Sequence, residues 1–412
     1  MGRLATVAGV ASLLWLPFAS ASCERPRTTV DAPLVKIQPA PTDPRTEPLP
    51  PAGAAEELRL PFEPCFTRRE QPTKRSFLGG AYGDVDGDGR RDIAGLDSLN
   101  DVVAILRATG DGSFEPAAEV SVDAEALGIA LGDFNRDGDL DLATGNHKTQ
   151  TVSILLGNGK GSFARHAEIR VGPKVGGSPT VADLNADGRL DLAVSTHRSV
   201  RLLLGEGTGR FRAGQRLPAG LYPERPLVAD FNGDKRLDLA VASNDSHFLA
   251  IFLHDGQRFG EARHYECGRG GSDLALGDYD GNGTADLAMA AINSGSTCLF
   301  LGQGDGTFRQ AGEHPGGWNV AAHDFDRDGR HELMIIQADP AAMRRINRDG
   351  WGMLTLYATS EEGQLSVLTR QRTAAPADEV WFDDLDRDGR EDILLLSQGG
   401  VTVLRGTTCD RR

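Results

Sequence analysis

The chain has 412 residues, 39% of them apolar but only 6% aromatic, with 51 glycines and a formal net charge of −15. So many glycines fit a protein of many tight reversals, because positive φ costs glycine little. The acidic balance argues against a nucleic-acid partner, whose phosphates attract Lys and Arg.

Residues 1–22 have the layout of an export signal: Arg3, the apolar run Leu4 to Phe18, then the small residues Ala19 to Ser22. Cleavage after Ala21 would release a secreted protein. Cleavage after Ser22 would expose Cys23 for lipid attachment, as in bacterial lipoproteins, with Ser20 where that motif usually carries Leu. The expected location is the bacterial envelope or cell surface through a lipid on Cys23, or otherwise the medium. Any membrane contact would run through that lipid, since no later apolar stretch is long enough to cross a bilayer. Residues 23–57 continue with Pro26, Pro33, Pro39, Pro41, Pro44, Pro48, Pro50 and Pro51 and few large apolar groups, so a disordered tether is expected before a folded region at 58–412.

One pattern then recurs: DVDGDGRRD at 84, DFNRDGDLD at 133, DLNADGRLD at 183, DFNGDKRLD at 230, DYDGNGTAD at 278, DFDRDGRHE at 324 and DLDRDGRED at 384. Successive starts differ by 49, 50, 47, 48, 46 and 60 residues, so the sixth unit carries an insertion. The second unit runs LGIALGDF, the acidic loop, DLATGN, TVSILLG, the turn NGKG and SFARHAEI, four short apolar segments that read as strands. The Gly-rich turns lack a following helix and read as hairpins, not phosphate cradles. Phe114, Phe163, Phe211, Phe259 and Phe308, just after those turns, are expected between neighbouring sheets. Seven four-stranded units, each with two apolar faces, are stable if packed face to face around an axis, so the predicted fold is an all-β, seven-bladed β-propeller with one calcium loop per blade.

The last unit stops without a fourth strand, and LRLPFEPCF (58–66) has no unit of its own, so that segment is expected to close the seventh blade. Cys65 would then meet Cys409, leaving Cys267 to pair with Cys298 inside one unit; an even cysteine set suits an exported chain.

The spacing D-x-[DN]-x-[DN]-G-x-x-[DE] suits a hard cation that prefers six to eight oxygens, with side chains at positions 1, 3, 5 and 9 and the carbonyl at position 7 converging around a glycine turn. The candidate ligands are Asp84, Asp86, Asp88, Asp92 and the Arg90 carbonyl; Asp133, Asn135, Asp137, Asp141 and the Asp139 carbonyl; Asp183, Asn185, Asp187, Asp191 and the Arg189 carbonyl; Asp230, Asn232, Asp234, Asp238 and the Arg236 carbonyl. The later loops offer Asp278, Asp280, Asn282, Asp286 and the Thr284 carbonyl; Asp324, Asp326, Asp328, Glu332 and the Arg330 carbonyl; Asp384, Asp386, Asp388, Asp392 and the Arg390 carbonyl. Up to seven Ca²⁺ ions, mainly structural, are expected. Position 12, where an EF-hand needs Glu, holds Gly95, Thr144, Val194, Val241, Met289, Ile335 and Leu395.

The stretch DLATGNHKTQTVSILLGNGKGSF resembles the FG-GAP or VCBS-type repeat that builds the integrin α-subunit propeller, and the resemblance covers about residues 77 to 406. It implies calcium loops joining the first and second strands of each blade. Lys235 replaces the turn glycine of the fourth loop, Asn282 removes a carboxylate from the fifth, and Glu332 lengthens the last ligand of the sixth, so the fourth site is expected to be the weakest.

Loops between second and third strands would lie at the opposite end of the ring and carry His147, His197, Asn244, His247 and Asn293. With Trp351, which shares the insertion at 338–353 with Met343, Arg344 and Arg345, these are the candidate ligand-binding residues. Trp318 and Trp381 are expected between blades. No HExxH, GxSxG or zinc-ligand spacing occurs, so no catalytic residue is assigned and a monomeric binding, adhesion or scaffold module for an extracellular protein or glycan is expected. The alternative is a propeller-based hydrolase or lyase acting on an extracellular polymer.

Overall fold

The computed structural model describes residues 65–71, 75–97, 99–123, 125–338, 352–373 and 375–407, among which every helix or strand is a β-strand. The signal segment, Cys23, the Pro-rich stretch, Cys409, Met343, Arg344, Arg345 and Trp351 lie outside the described residues.

Strand β1 (Cys65–Gln71) belongs with the last blade. The first blade is β2 (Gly80–Gly83), β3 (Asp92–Asp97), β4 (Val102–Ala108) and β5 (Phe114–Ser121), each antiparallel to the next. The same order recurs in β6 to β9 (126–170), β10 to β13 (180–218), β14 to β17 (227–266), β18 to β21 (271–315) and β22 to β25 (319–373). Second strands such as DIAGLD and DLAVST are buried throughout, whereas fourth strands such as FARHAEIR alternate or lie exposed. That gradient places the fourth strands outermost.

The seventh sheet has the order β1, β28 (Gly400–Thr407), β27 (Asp392–Ser397), β26 (Ala377–Asp383), so a strand from the start of the folded region completes the last blade. Its register runs from Cys65 opposite Thr407 to Gln71 opposite Val401. The described strand takes in Cys65 and Phe66 of the expected 58–66 and continues to Gln71; residues 58–64 lie outside the described residues. CFTRREQ pairs along its whole length.

Seven buried clusters each draw on two adjacent blades, and the series closes on itself. Phe77, Ile93, Ala104 and Leu106 of the first blade's region pack with Leu394, Leu396, Val401 and Val403 of the seventh. Burying side chains of this size contributes about 1.5–3 kcal/mol each, so the joints between sheets hold the ring. The phenylalanines after the Gly-rich turns sit in these clusters as expected. Trp381 is in the cluster between blades seven and one, stacked on Tyr82 at 5.6 Å.

Cys267 and Cys298 are bonded, with Cα atoms 6.0 Å apart. The bridge does not lie within one blade. Cys267 follows β17, the outer strand of the fourth blade, and Cys298 lies in β20 (Ser296–Gly302) of the fifth; the acidic loop that starts at Asp278 falls between them, so they belong to consecutive repeat units as well.

Candidate metal centres

Each acidic loop joins the first and second strands of its blade and is wound by its own carboxylates. At position 1, Asp84 Oδ1 accepts the amides of Gly87 (2.8 Å) and Asp88 (3.2 Å), while Oδ2 accepts that of Gly89 (2.9 Å). Position 3 accepts the amide of position 5, as in Asp137 to Asn135 Oδ1 (3.0 Å) and Asp187 to Asn185 Oδ1 (2.9 Å). Position 5 in turn accepts the amide of position 7, as in Arg90 to Asp88 Oδ1 (2.9 Å). Position 6 is left-handed in every loop; the fourth places Lys235 there at φ 68°. A Cβ on the corresponding Gly138 or Gly188 would touch nothing, and Lys235 N–H still reaches Asp230 Oδ2 (2.6 Å), so lysine costs torsional strain without a clash.

The carboxylate at position 9 is buried and spans the blade. Asp191 Oδ2 accepts Leu184 N–H (3.1 Å) from the loop, and Oδ1 accepts Gly205 N–H (2.7 Å) at the end of β12 (Ser199–Gly205). Asp92, Asp141, Asp238, Asp286 and Asp392 make the same pair of bonds. Glu332 accepts from Phe325 (2.9 Å). A side chain on Gly157, Gly205, Gly302 or Gly406 would collide with the carbonyl of the residue before position 9, which is why those third strands carry glycine at or next to their ends. Burial pushes Asp92, Asp191, Asp286 and Asp392 up to about 6 and Glu332 up to about 7, against the pull of the donated amides and with help from carboxylates at positions 3 and 5 or their neighbours. Asp141 and Asp238 shift the same way for the same reason.

Position 2 ties each loop to the next blade, a link that sequence reasoning missed. Phe134 packs edge-on to Phe211 (5.5 Å) and Phe231 to Phe308 (5.4 Å). The carbonyls of Val85, Phe134 and Phe231 accept the amides of Gly161, Gly209 and Gly306 (2.9 Å each) in the neighbouring Gly-rich turns. The apolar letter after each leading Asp was the available signal.

In four loops, carboxylate oxygens from positions 1, 3 and 9 lie within 4.8 Å of one another: Asp84, Asp86, Asp92; Asp278, Asp280, Asp286; Asp324, Asp326, Glu332; Asp384, Asp386, Asp392. The other three loops have Asn135, Asn185 or Asn232 at position 3, where an amide oxygen accepts the same hydrogen bond. The position-5 carboxylates lie outside these groups. A ligand set of carboxylate, amide and carbonyl oxygens fits a hard divalent cation. The seventh loop adds a sharper indication: Asp386 Oδ1 is buried with no hydrogen-bond partner among the described residues, a costly arrangement unless another group meets it.

The expected ligand-binding residues gather at the other end of the ring, in pairs instead of one site. His147 contacts the Val175 carbonyl through Nδ1 (3.0 Å); His197 stands edge-on to Tyr222 (4.8 Å); Asn244 Nδ2 donates to Glu224 Oε1 (3.3 Å). His247 and Asn293 are exposed. Lys174 lies over the Tyr222 ring at 4.7 Å, and burial, then Lys174 and Arg198, hold His197 below its ordinary range.

Sequence reasoning did not find the axial groups. Arg225, preceding the fourth blade, pairs across the ring with Glu379 of the seventh (3.1 Å). Together with Asp273 and Asn319 they line a cavity of about 190 Å³. Burial pushes Asp273 up to about 6, with Arg225 opposing and Glu379 adding to the shift, and burial pushes Glu224 up to about 7. Nothing in the repeat pattern distinguishes these positions.

Among solved structures, the chain is similar to BBS1N, crystallised in complex with ARL6DN, at 11% identity over 84% of this chain and 98% of that one, TM-score 0.59. A protein from Lactobacillus plantarum matches at 14% identity over 73% and 85%, TM-score 0.51. A functionally unknown protein from Desulfotomaculum acetoxidans matches at 8% over 76% and 98%, TM-score 0.50. At such identities the likeness concerns the fold alone. No curated protein matches the chain. The FG-GAP-like repeat profile matches residues 84–144, 133–194, 183–241, 230–289 and 278–335, each window running from one acidic loop through the next. With five consecutive matches spanning more than half its length, the chain belongs to the FG-GAP-like repeat family.

Proposed function

We propose that this protein is an exported, calcium-stabilised propeller that binds an extracellular protein or glycan through the end of the ring opposite its acidic loops. In this reading positions 1, 3 and 9, with further oxygens from positions 5 and 7, hold calcium as a structural ion. Cys23 carries a lipid that anchors the chain, or the chain is secreted.

The observation that supports this most is a set of strained connections at that end of the ring, gathered within blades one to four. Ten described non-glycine residues have positive φ: Arg136, Ala186, Lys235, Arg327 and Arg387 lie in acidic loops, and Asp101, Glu125, Gln150, Lys174 and Tyr222 lie in connections at the other end, within blades one to four. Residues held in such conformations concentrate where a surface must present a fixed shape. Lys174, Tyr222 and His197 form one such surface, a cation over an aromatic ring edged by an imidazole. BBS1N, a propeller of similar fold, was crystallised with a protein partner.

The hydrolase or lyase reading finds some support in the raised Asp273 and Glu224. The axial cavity, about 190 Å³, is smaller than the ~300–1,000 Å³ usual for ligand pockets, and Glu379 is engaged by Arg225, so binding is preferred.

The test is a binding screen in calcium against extracellular polysaccharides and secreted proteins, comparing the parent with His197→Ala and Tyr222→Ala. The expected result is a ligand that the parent binds and both variants lose with unchanged melting. Absence of any ligand, or binding indifferent to both substitutions, would refute the proposed surface.

A further inference from the structure

We infer that the arginine at position 7 of four acidic loops sets the affinity of the ion held there, dividing the seven sites into a weaker class of four and a tighter class of three. The inference rests on the calcium reading above.

The guanidinium of Arg90 is anchored by Nε to the Ala108 carbonyl (3.0 Å), that of Arg189 to Gly205 (3.0 Å) and that of Arg236 to His254 (3.1 Å), each at or just beyond the end of the third strand. Thus fixed, Nη2 meets the outer oxygen of the position-5 carboxylate: Arg90 that of Asp88, Arg189 that of Asp187 (2.5 Å) and Arg236 that of Asp234 (2.5 Å). In the seventh loop Arg390 Nη1 meets Asp388 Oδ2 (3.1 Å). The inner oxygen already accepts the amide of position 7. Both oxygens of this ligand are therefore committed, one of them to a positive charge.

The other three loops lack that arrangement. Thr284 places its hydroxyl within reach of the Gly302 carbonyl (3.1 Å), the contact that arginine makes elsewhere, without adding charge. Arg330 turns away to Glu361 (3.1 Å). The second loop has Asp139 at this position, a further negative charge.

A guanidinium on a ligand carboxylate opposes a divalent ion twice, by withdrawing an oxygen and by placing a like charge beside it. A unit charge a few ångströms from a divalent ion is worth about tenfold in affinity even in a water-like medium. The backbone carbonyls of these arginines are themselves candidate ligands and are kept in any substitution; the effect argued here is that of the guanidinium group alone, and it is read in the metal.

Calcium titration of the full chain by calorimetry is expected to resolve four weaker and three tighter sites. Replacing Arg90, Arg189, Arg236 and Arg390 together by Thr, the residue of the fifth loop, is expected to tighten the weaker class by about tenfold. The converse variant, Thr284→Arg, should move one site from the tighter class to the weaker. The inference is overturned if the fourfold variant, melting as a folded protein, binds calcium as the parent does or less well. It is equally overturned if Thr284→Arg leaves the tighter class at three. A parent that binds no calcium removes the underlying reading as well, and is distinguished from these results by the first titration.

Discussion

Replacing Phe134 by Ala tests whether the acidic loops are joints of the ring or appendages on it. Phe134 sits at position 2 of the second loop, is 2% exposed, and packs against Phe211 and among Val181, Leu190, Leu192 and Leu203 of the third blade's region. Its backbone bonds to Asp141 (2.8 Å) and Gly209 (2.9 Å) survive the substitution, so the effect isolates the side chain. A buried Phe→Ala change costs about 3–5 kcal/mol. Unfolding entropy near ~2.1 cal/mol/K per residue, over roughly 340 residues, amounts to about 0.7 kcal/mol/K, so a 4 kcal/mol loss lowers the melting temperature by about 6 °C. Leu99→Ala is the control, since Leu99 is 78% exposed and should shift melting by under ~1 °C. Scanning calorimetry of the three proteins in one buffer decides the matter. A Phe134→Ala shift no larger than that of Leu99→Ala would show that the loop does not bear on the joint.

Two further outcomes follow from particular contacts. Asp273 is held near 6 in the folded ring against about 3.9 unfolded, so the folded state binds its proton more tightly and its ionisation lowers stability as pH rises from about 4 to about 6. Asp273→Asn should therefore match the parent near pH 4 and exceed it by about 1–3 kcal/mol at pH 7.5; urea unfolding at the two pH values checks this, and a parent more stable than the variant at pH 7.5 contradicts it. Breaking the Cys267–Cys298 bridge, which spans 31 residues, should cost about 3–4 kcal/mol on chain-entropy grounds, seen as a lower melting temperature on reduction. Absence of that shift, with thiol titration showing complete reduction, would mean that packing between blades four and five suffices alone.

The periodic part of the molecule was readable from sequence because each blade repeats one local solution. Glycine after the third acidic position marks a left-handed turn, and runs such as DLAVST mark strands buried on both faces. What was not readable was how far pairing extends. The expected closing segment, 58–66, meets the described strand at Cys65 and Phe66, and the pairing runs on to Gln71 opposite Val401, an extent that no local pattern encodes. The bridge between Cys267 and Cys298 likewise joins consecutive units, since the acidic loop at Asp278 falls between the two cysteines, and it ties the outer edge of one blade to the third strand of the next. The axial groups were invisible for a deeper reason: Arg225 and Glu379 are 154 residues apart and meet only because seven blades bring their inner ends to one axis.

The loop's position in that architecture explains why a divalent ion would act on the ring and not only on nine residues. Position 1 directly follows the first strand, position 9 begins the second, and the same position-9 aspartate takes an amide from the end of the third. Position 2 is inserted into the joint with the next blade. An ion bridging positions 1, 3 and 9 therefore links three strands of one sheet and, through position 2, the neighbouring sheet. At a hundredfold excess over Kd each site adds about 2.7 kcal/mol to the folded state, and because adjacent blades share the joints that the loops enter, this stabilisation is not confined to one repeat as it is in open arrays with nearest-neighbour coupling alone. The single closing strand β1 gives the same result from the other direction, since pairing with β28 makes the first and last blades neighbours and leaves the ring no terminal repeat to fray.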